Sequence, residues 1–210
     1  MLTAADLDPR LILPAPPAKN SIQARAELSE LHAVELARTQ ADLTSARFDS
    51  ETTNASIFAE ILGPAFDLAK LPATNRLFAI VRVTEKDVAD RGKAEFLRER
   101  PWIVDASLKT CERSDKPLSS YPSGHTTMAF SMGSVLAQLV PDKAAAVLGR
   151  AARYGQSRVV CEQHYRSDVT AGEALGVLVA ERLMAKPAFR DAFANAKAEL
   201  ESVGIARAAH

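Results

Sequence analysis

GHTTMAFSMGSVLAQLV, residues 124–140, is the stretch on which the fold turns. Met128, Met132, Val135, Leu136 and Leu139 recur at the i, i+4, i+7, i+8, i+11 spacing of one helical face. Pro141 closes that helix, and Ala144, Val147, Leu148 and Ala151 repeat the period in the next one. Residues 174–180 are apolar on nearly every side and rich in small residues, which predicts a central core helix. A last amphipathic helix begins at Pro187 and carries Phe189, Phe193, Ala196 and Leu200. The run 124–140 is too short, and too polar at its start, to cross a bilayer by itself, so no membrane insertion is expected.

Upstream, LPAPPAKNS (residues 13–21) holds three prolines and predicts an extended arm lying across the surface. Residues 21–48 contain neither Gly nor Pro and predict a long helix, broken near its end, with Leu28, Leu31 and Leu36 on its buried face. Two more helices are expected over 54–70 and 72–91, the second opened by Pro72. LFAIVRV (77–83) has the composition of a strand, but no turn-delimited partner strand lies nearby, so helix is preferred. A shorter helix should run from Thr84 to about Arg100 and stop at Pro101, followed by a long irregular loop, 101–122. The expected fold class is all-α: a single-domain helical bundle over residues 21–210, with residues 1–20 as an N-terminal arm.

The chain has 210 residues, 47% of them hydrophobic, enough for one sizeable core. Lys+Arg and Asp+Glu both number 26, so no charge excess draws the molecule to a nucleic-acid polymer or an anionic membrane. An anion site must be local. Cys111 and Cys161 lack CxxC spacing and surrounding histidines, so they are not read as a zinc site. Spacing leaves a disulfide and two unpaired thiols equally open. Residues 1–20 include Asp6, Asp8, Arg10 and Lys19 and lack a secretory h-region, so no export signal is expected in the chain as written, which also fits a mature form whose leader was replaced by Met1.

Three groups of residues carry chemistry. Lys93 and Arg100, seven apart, would project from one helical face, although a solvated basic face that includes Arg91 and Arg98 is the plainer reading. Tyr121-Pro122-Ser123-Gly124-His125 precedes a periodic helix and places Ser123 and Gly124 at its N-terminus, where free N–H groups and the helix dipole favour an anion. SRVVCEQHYRSD (157–168) supplies the planar donor fork of Arg158, with His164 and Asp168 four residues apart. On a helix those two would share a face, the carboxylate fixing the imidazole tautomer so that its other nitrogen is nucleophilic. Alone, that spacing describes a surface pair or a cap as well.

In order, the three groups read K-x6-RP (93–101), PSGH (122–125) and SR-x5-H-x3-D (157–168). So arranged, the chain resembles the type 2 phosphatidic acid phosphatase superfamily and, within it, the bacterial class A non-specific acid phosphatases. YPSGHT, GQSRVVC, the proline-rich arm and the KPAF helix extend the resemblance over most of the chain. It implies that His164 is the nucleophile, forming a phosphohistidine, that Asp168 orients it, and that His125 is the general acid. It further implies that Lys93, Arg100, Arg158, Ser123 and the Gly124 N–H bind phosphate, with no metal or other cofactor. Small phosphomonoesters are then the expected partners, with phosphotransfer as an added activity, a homodimer as the assembly and the periplasm as the compartment. A vanadium-dependent haloperoxidase-like enzyme is the alternative, since the same signature binds vanadate. A phosphate-binding protein without chemistry would need the cations but not His164, His125 and Asp168, and a lipid phosphatase is disfavoured by the lack of transmembrane helices. Trp102 and Tyr121 are expected to pack around the pocket. His32 and His210 should lie outside it.

Overall fold

The chain folds around α7 (Gly124–Leu139), which packs against α8 (Ala144–Val160), α9 (Arg166–Met184) and α5 (Pro72–Phe96) in this computed structural model. Residues 2–207 are described, so the expectation for His210 lies outside them. The remaining helices are α1 (Pro9–Ile12), α2 (Ile22–Ala37), α3 (Gln40–Glu51), α4 (Ala59–Leu62), α6 (Pro101–Val104) and α10 (Pro187–Ser202), with 3-10 turns at Ala55–Phe58 and Pro141–Lys143. Among the described residues there is no strand, and LFAIVRV is helical. No helix among them is long and apolar enough to cross a membrane.

The five periodic residues of α7 are all buried, as the 3.6-residue period requires of a face directed into a core. The central position belongs to α7 and not to residues 174–180, because Ala174 and Val177 of α9 face outward. What α9 contributes is closeness. A Cβ on Gly172 would stand 2.7 Å from the Ser123 carbonyl oxygen, and one on Gly176 would stand 2.7 Å from that of Thr127. Glycine at both positions lets α9 press its first turns onto the start of α7, where the chemistry-bearing residues gather.

Several boundaries differ from the sequence reading, each for a local reason. The expected 21–48 helix breaks at Arg38–Thr39, because Thr39 and Asp42 form a reciprocal capping box that starts α3. Leu31 is buried, but Leu36 is 89% exposed next to that break. The expected 54–70 helix is one 3-10 turn and the four-residue α4, ended by Gly63 at φ 88° before Pro64. The helices expected over 72–91 and 84–100 are one, α5, which ends at Leu97 in the left-handed region and not at Pro101. Arg100 is therefore extended chain, capping the short α6 inside the loop expected at 101–122. The arm residues 14–19 are non-helical, but the N-terminal segment is not confined to the surface: Leu2, Leu7 and Leu13 enter the main core. The Tyr121 hydroxyl donates to the Pro14 carbonyl at 2.6 Å and fastens the arm there.

Candidate active site

Lys93 comes from the last turn of α5, Arg100 from the link to α6, Ser123, Gly124 and His125 from the start of α7, and Arg158 from the last turn of α8. His164 lies in the α8–α9 link and Asp168 at the third position of α9. The fold brings all eight to one place. Lys93, Arg100, Gly124 and His125, with Thr53 and Glu85, line a cavity of about 300 Å³. His164 and Arg158 lie behind Arg100, 1% and 2% exposed. A larger apolar groove of about 650 Å³, between residues 15–20 and α2, contains none of the eight.

The imidazole of His164 has a determined tautomer. Its Nδ1 is 2.7 Å from the Ser120 carbonyl oxygen, which can only accept, so Nδ1 carries the hydrogen. Nε2 then presents its lone pair, and Arg100 Nη1 donates to it at 2.8 Å while also donating to the Gln163 carbonyl at 2.7 Å. The expected reason for the His164–Asp168 pairing needs correcting, since His164 precedes the helix and shares no helical face with Asp168. Asp168 Oδ2 lies 3.4 Å from Nδ1 and accepts from the Ser120 hydroxyl at 2.6 Å and the Tyr165 N–H at 2.9 Å. Its Oδ1 accepts from Arg98 at 2.5 Å. The carboxylate thus holds Ser120, and Ser120 holds the imidazole.

Burial, followed by the charges of Arg100 and Arg158, holds His164 well below the usual imidazole range, so Nε2 is neutral. Burial and then Arg158 do the same to His125, whose Nε2–H points to the Ser50 carbonyl oxygen at 3.2 Å. Burial and then Arg100 lower Lys93 to about 8, and burial and then Arg158 lower Arg100 to about 10, which leaves both charged at acidic and neutral pH. Burial lifts Asp168 to about 6 against the pull of Arg98.

Arg100 Nε and Arg158 Nε are buried without a hydrogen-bond partner among the described residues. Buried donors ordinarily have acceptors, so a cluster with two orphans asks for an anion. A Cβ on Gly124 would fall 2.9 Å from Lys93 Nζ, so the ammonium sits directly over the helix N-terminus, and glycine is what lets it approach. Ser123 Oγ caps α7, accepting from Thr126. Among the described residues no three His, Cys, Asp or Glu side chains converge to hold a metal ion.

Trp102 and Tyr121 are buried beside the cluster, the Arg100 guanidinium standing 5.5 Å from the Trp102 ring centre. His32 lies apart and pairs with Asp105 at 2.9 Å. Cys111 and Cys161 form a disulfide. Four residues that the sequence reading gave no role also reach the site. Ser50 contacts Arg158 and His125, Ser119 accepts from Arg100, Ser120 holds His164, and Arg98, no solvated cation, bridges Asp168 and Glu27.

With an all-α fold and these three groups converging on one cluster, the chain belongs to the PAP2 superfamily, whose family model matches residues 79–190. Among individual relatives, it is 33% identical over 201 residues to an acid phosphatase of Zymomonas mobilis, covering 92% of this chain and 76% of that one. A non-specific acid phosphatase of Providencia stuartii is 30% identical over 207 residues, with 92% and 81% covered. One from Salmonella typhi is 32% identical over 151 residues, and the chain spans 60% of its length. The crystal structure of a transmembrane PAP2 type phosphatidylglycerolphosphate phosphatase from Bacillus subtilis shares the fold, with a TM-score of 0.59 over 78% of this chain and 84% of that one at 19% identity.

Proposed function

We propose that the protein is a metal-independent, non-specific acid phosphatase that hydrolyses small phosphomonoesters through a phosphohistidine on His164. The observation that carries this reading is a neutral imidazole whose Nε2 lone pair is fixed beside Arg100 and next to buried, unpartnered guanidinium donors. Phosphoryl transfer asks for in-line positioning and positive charge on the equatorial oxygens, and Lys93, Arg100 and Arg158 supply both with the Gly124 N–H and Ser123. The phosphate displaces Arg100 Nη1 from His164 Nε2 and takes its hydrogen bonds. Nε2 then attacks phosphorus as the ester P–O bond breaks, and His125 gives its proton to the departing oxygen. Neutral His125 next takes a proton from water, the hydroxide attacks phosphorus, the P–N bond breaks and inorganic phosphate leaves. An alcohol in place of water gives phosphotransfer.

Because burial and three cations depress His125, it is protonated only at acidic pH, and a bound phosphate dianion offsets part of that effect. This favours an acidic optimum for alkyl esters. Periplasmic residence is proposed from the acid phosphatase activity of the relatives and the disulfide, and a homodimer from the resemblance.

Rapid quenching with labelled substrate under conditions that spare phosphoramidates should trap label on the wild type, in chelator as well as without it. His164→Ala should be unlabelled and nearly inactive. Equal labelling of that variant would remove His164 as the nucleophile, and activity lost to chelator and restored by a divalent ion would remove metal independence. Bromide oxidation by vanadate-loaded protein without phosphatase activity would favour the haloperoxidase alternative.

A further inference from the structure

The segment 110–112 is tied at several points to the α8–α9 link that ends in His164. Beside the Cys111–Cys161 disulfide, the Cys111 N–H donates to the Cys161 carbonyl at 3.2 Å, and the Thr110 hydroxyl donates to the same oxygen at 2.9 Å. The Gln163 amide donates to the Glu112 carbonyl at 2.5 Å and to the Thr110 hydroxyl at 2.7 Å. These ties fix the backbone of Glu112, whose own side chain is exposed. Its Oε1 accepts from the Ser50 hydroxyl at 3.2 Å, and Ser50 Oγ in turn accepts from Arg158 at 2.7 Å. Both Arg158 and Arg100 feel the charge of this carboxylate.

We infer that Glu112 is a specificity-determining residue, a fixed negative charge on the rim that selects against esters whose leaving group is itself anionic. The inference rests on the phosphatase reading above. Ser50 sets the direction: its carbonyl accepts from His125, which faces the departing oxygen, while its hydroxyl meets Glu112, so the carboxylate stands on the leaving-group side. Around the cavity Lys86 pairs with Asp90, Arg82 meets the buried Glu85, and Asp115 and Lys116 on the rim carry opposite charges without an ion pair between them. Glu112 has no cation within ion-pair distance among the described residues, and an unmatched charge that reaches the site through Ser50 acts on whatever binds there.

The test uses the full chain at pH 6 with three esters of similar size: glycerol 2-phosphate, 3-phosphoglycerate and phosphocholine, whose leaving groups are neutral, anionic and cationic. The wild type should rank them by kcat/KM with 3-phosphoglycerate last. Glu112→Gln should raise 3-phosphoglycerate by about three- to tenfold relative to glycerol 2-phosphate, the size expected of one charge acting across a few ångströms of partly solvated space. Glu112→Lys should place 3-phosphoglycerate above phosphocholine, and high salt should narrow the wild-type spread. A ranking that neither substitution moves, in a wild type that hydrolyses all three, overturns the rim charge alone. Failure of the wild type on every ester overturns the phosphatase reading and this inference with it.

Discussion

Arg98 is only 9% exposed at its side chain, and its guanidinium joins two carboxylates that would otherwise be buried without a cation, Asp168 and Glu27. It touches neither His164 nor the cavity residues that would meet phosphate, so its effect passes through Asp168 and Ser120. Arg98→Gln should destabilise the fold by about 3 kcal/mol, as removal of one partner from a buried ion pair does. It should also lower kcat with little change in KM, and Arg98→Lys should restore part of both. Because Arg98 holds down the Asp168 pKa of about 6, its loss raises that pKa, and the acid limb of the kcat profile moves to higher pH. Full activity with an unmoved acid limb would show that Asp168 does not need its charge. The eight candidate residues could be picked out because each belongs to a short pattern in which residue type and spacing are visible along the chain. Arg98, Ser50, Ser119 and Ser120 were not, since each acts through partners 19 to 108 residues away that only the packed helices bring near.

At the level of elements, the loop between α6 and α7 does the positioning that helix periodicity cannot describe. Its Ser120 carbonyl fixes the His164 tautomer, its Ser119 hydroxyl meets Arg100, and the disulfide anchors its middle to the end of α8. Arg38 adds a second tie by donating to the carbonyls of Lys109 and Val160, the latter as a 2.5 Å contact. Replacing both Cys111 and Cys161 by Ser opens a cross-link of 50-residue separation and should cost about 2–4 kcal/mol. Thermal melting would then fall by roughly 5–15 °C for a chain of this size. Hydrogen exchange should rise over residues 106–116 and stay low in α7, whereas uniform protection would show that hydrogen bonds alone hold the loop. Helices α7 and α10 were readable because a proline and an apolar period mark them. The helix breaks at Thr39 and Gly63 turn on a single cap or a single glycine, and the merger of two expected helices into α5 reflects the absence of any proline after Pro72 before Leu97, with Gly92 tolerated inside the helix. Arg100 was placed on a helix because seven residues match two turns, but the left-handed Leu97 lets extended chain deliver the same side chain to the same cluster.

Across the whole molecule the charges balance, so the dependence of stability on pH is governed by buried groups more than by net charge. Glu85, in the middle of α5, is fully buried; one oxygen accepts from Arg82 and the other has no partner among the described residues. Burial outweighs the pull of Arg82 and pushes this carboxyl up to about 8, and burial also pushes Glu162, at the end of α8, up to about 7. The folded pKa values lie above the ordinary carboxyl value near 4.5, so between that pH and about 8 the folded chain binds more protons than the unfolded one. Stability is then fully present below about pH 4.5, as far as these two groups go, and is lost as pH rises through 7 and 8. Glu85→Gln keeps the volume and the acceptor for Arg82 but cannot ionise. Urea unfolding should give nearly equal stabilities for the two proteins at pH 5 and an advantage of about 1–3 kcal/mol for the variant at pH 8.5. Differences between the two curves cancel the titration of every other group, Glu162 included. Parallel curves from pH 5 to 8.5 would mean that Glu85 is ionised throughout, with its charge stabilised by Arg82 and Lys93, and that its burial does not make stability fall as pH rises.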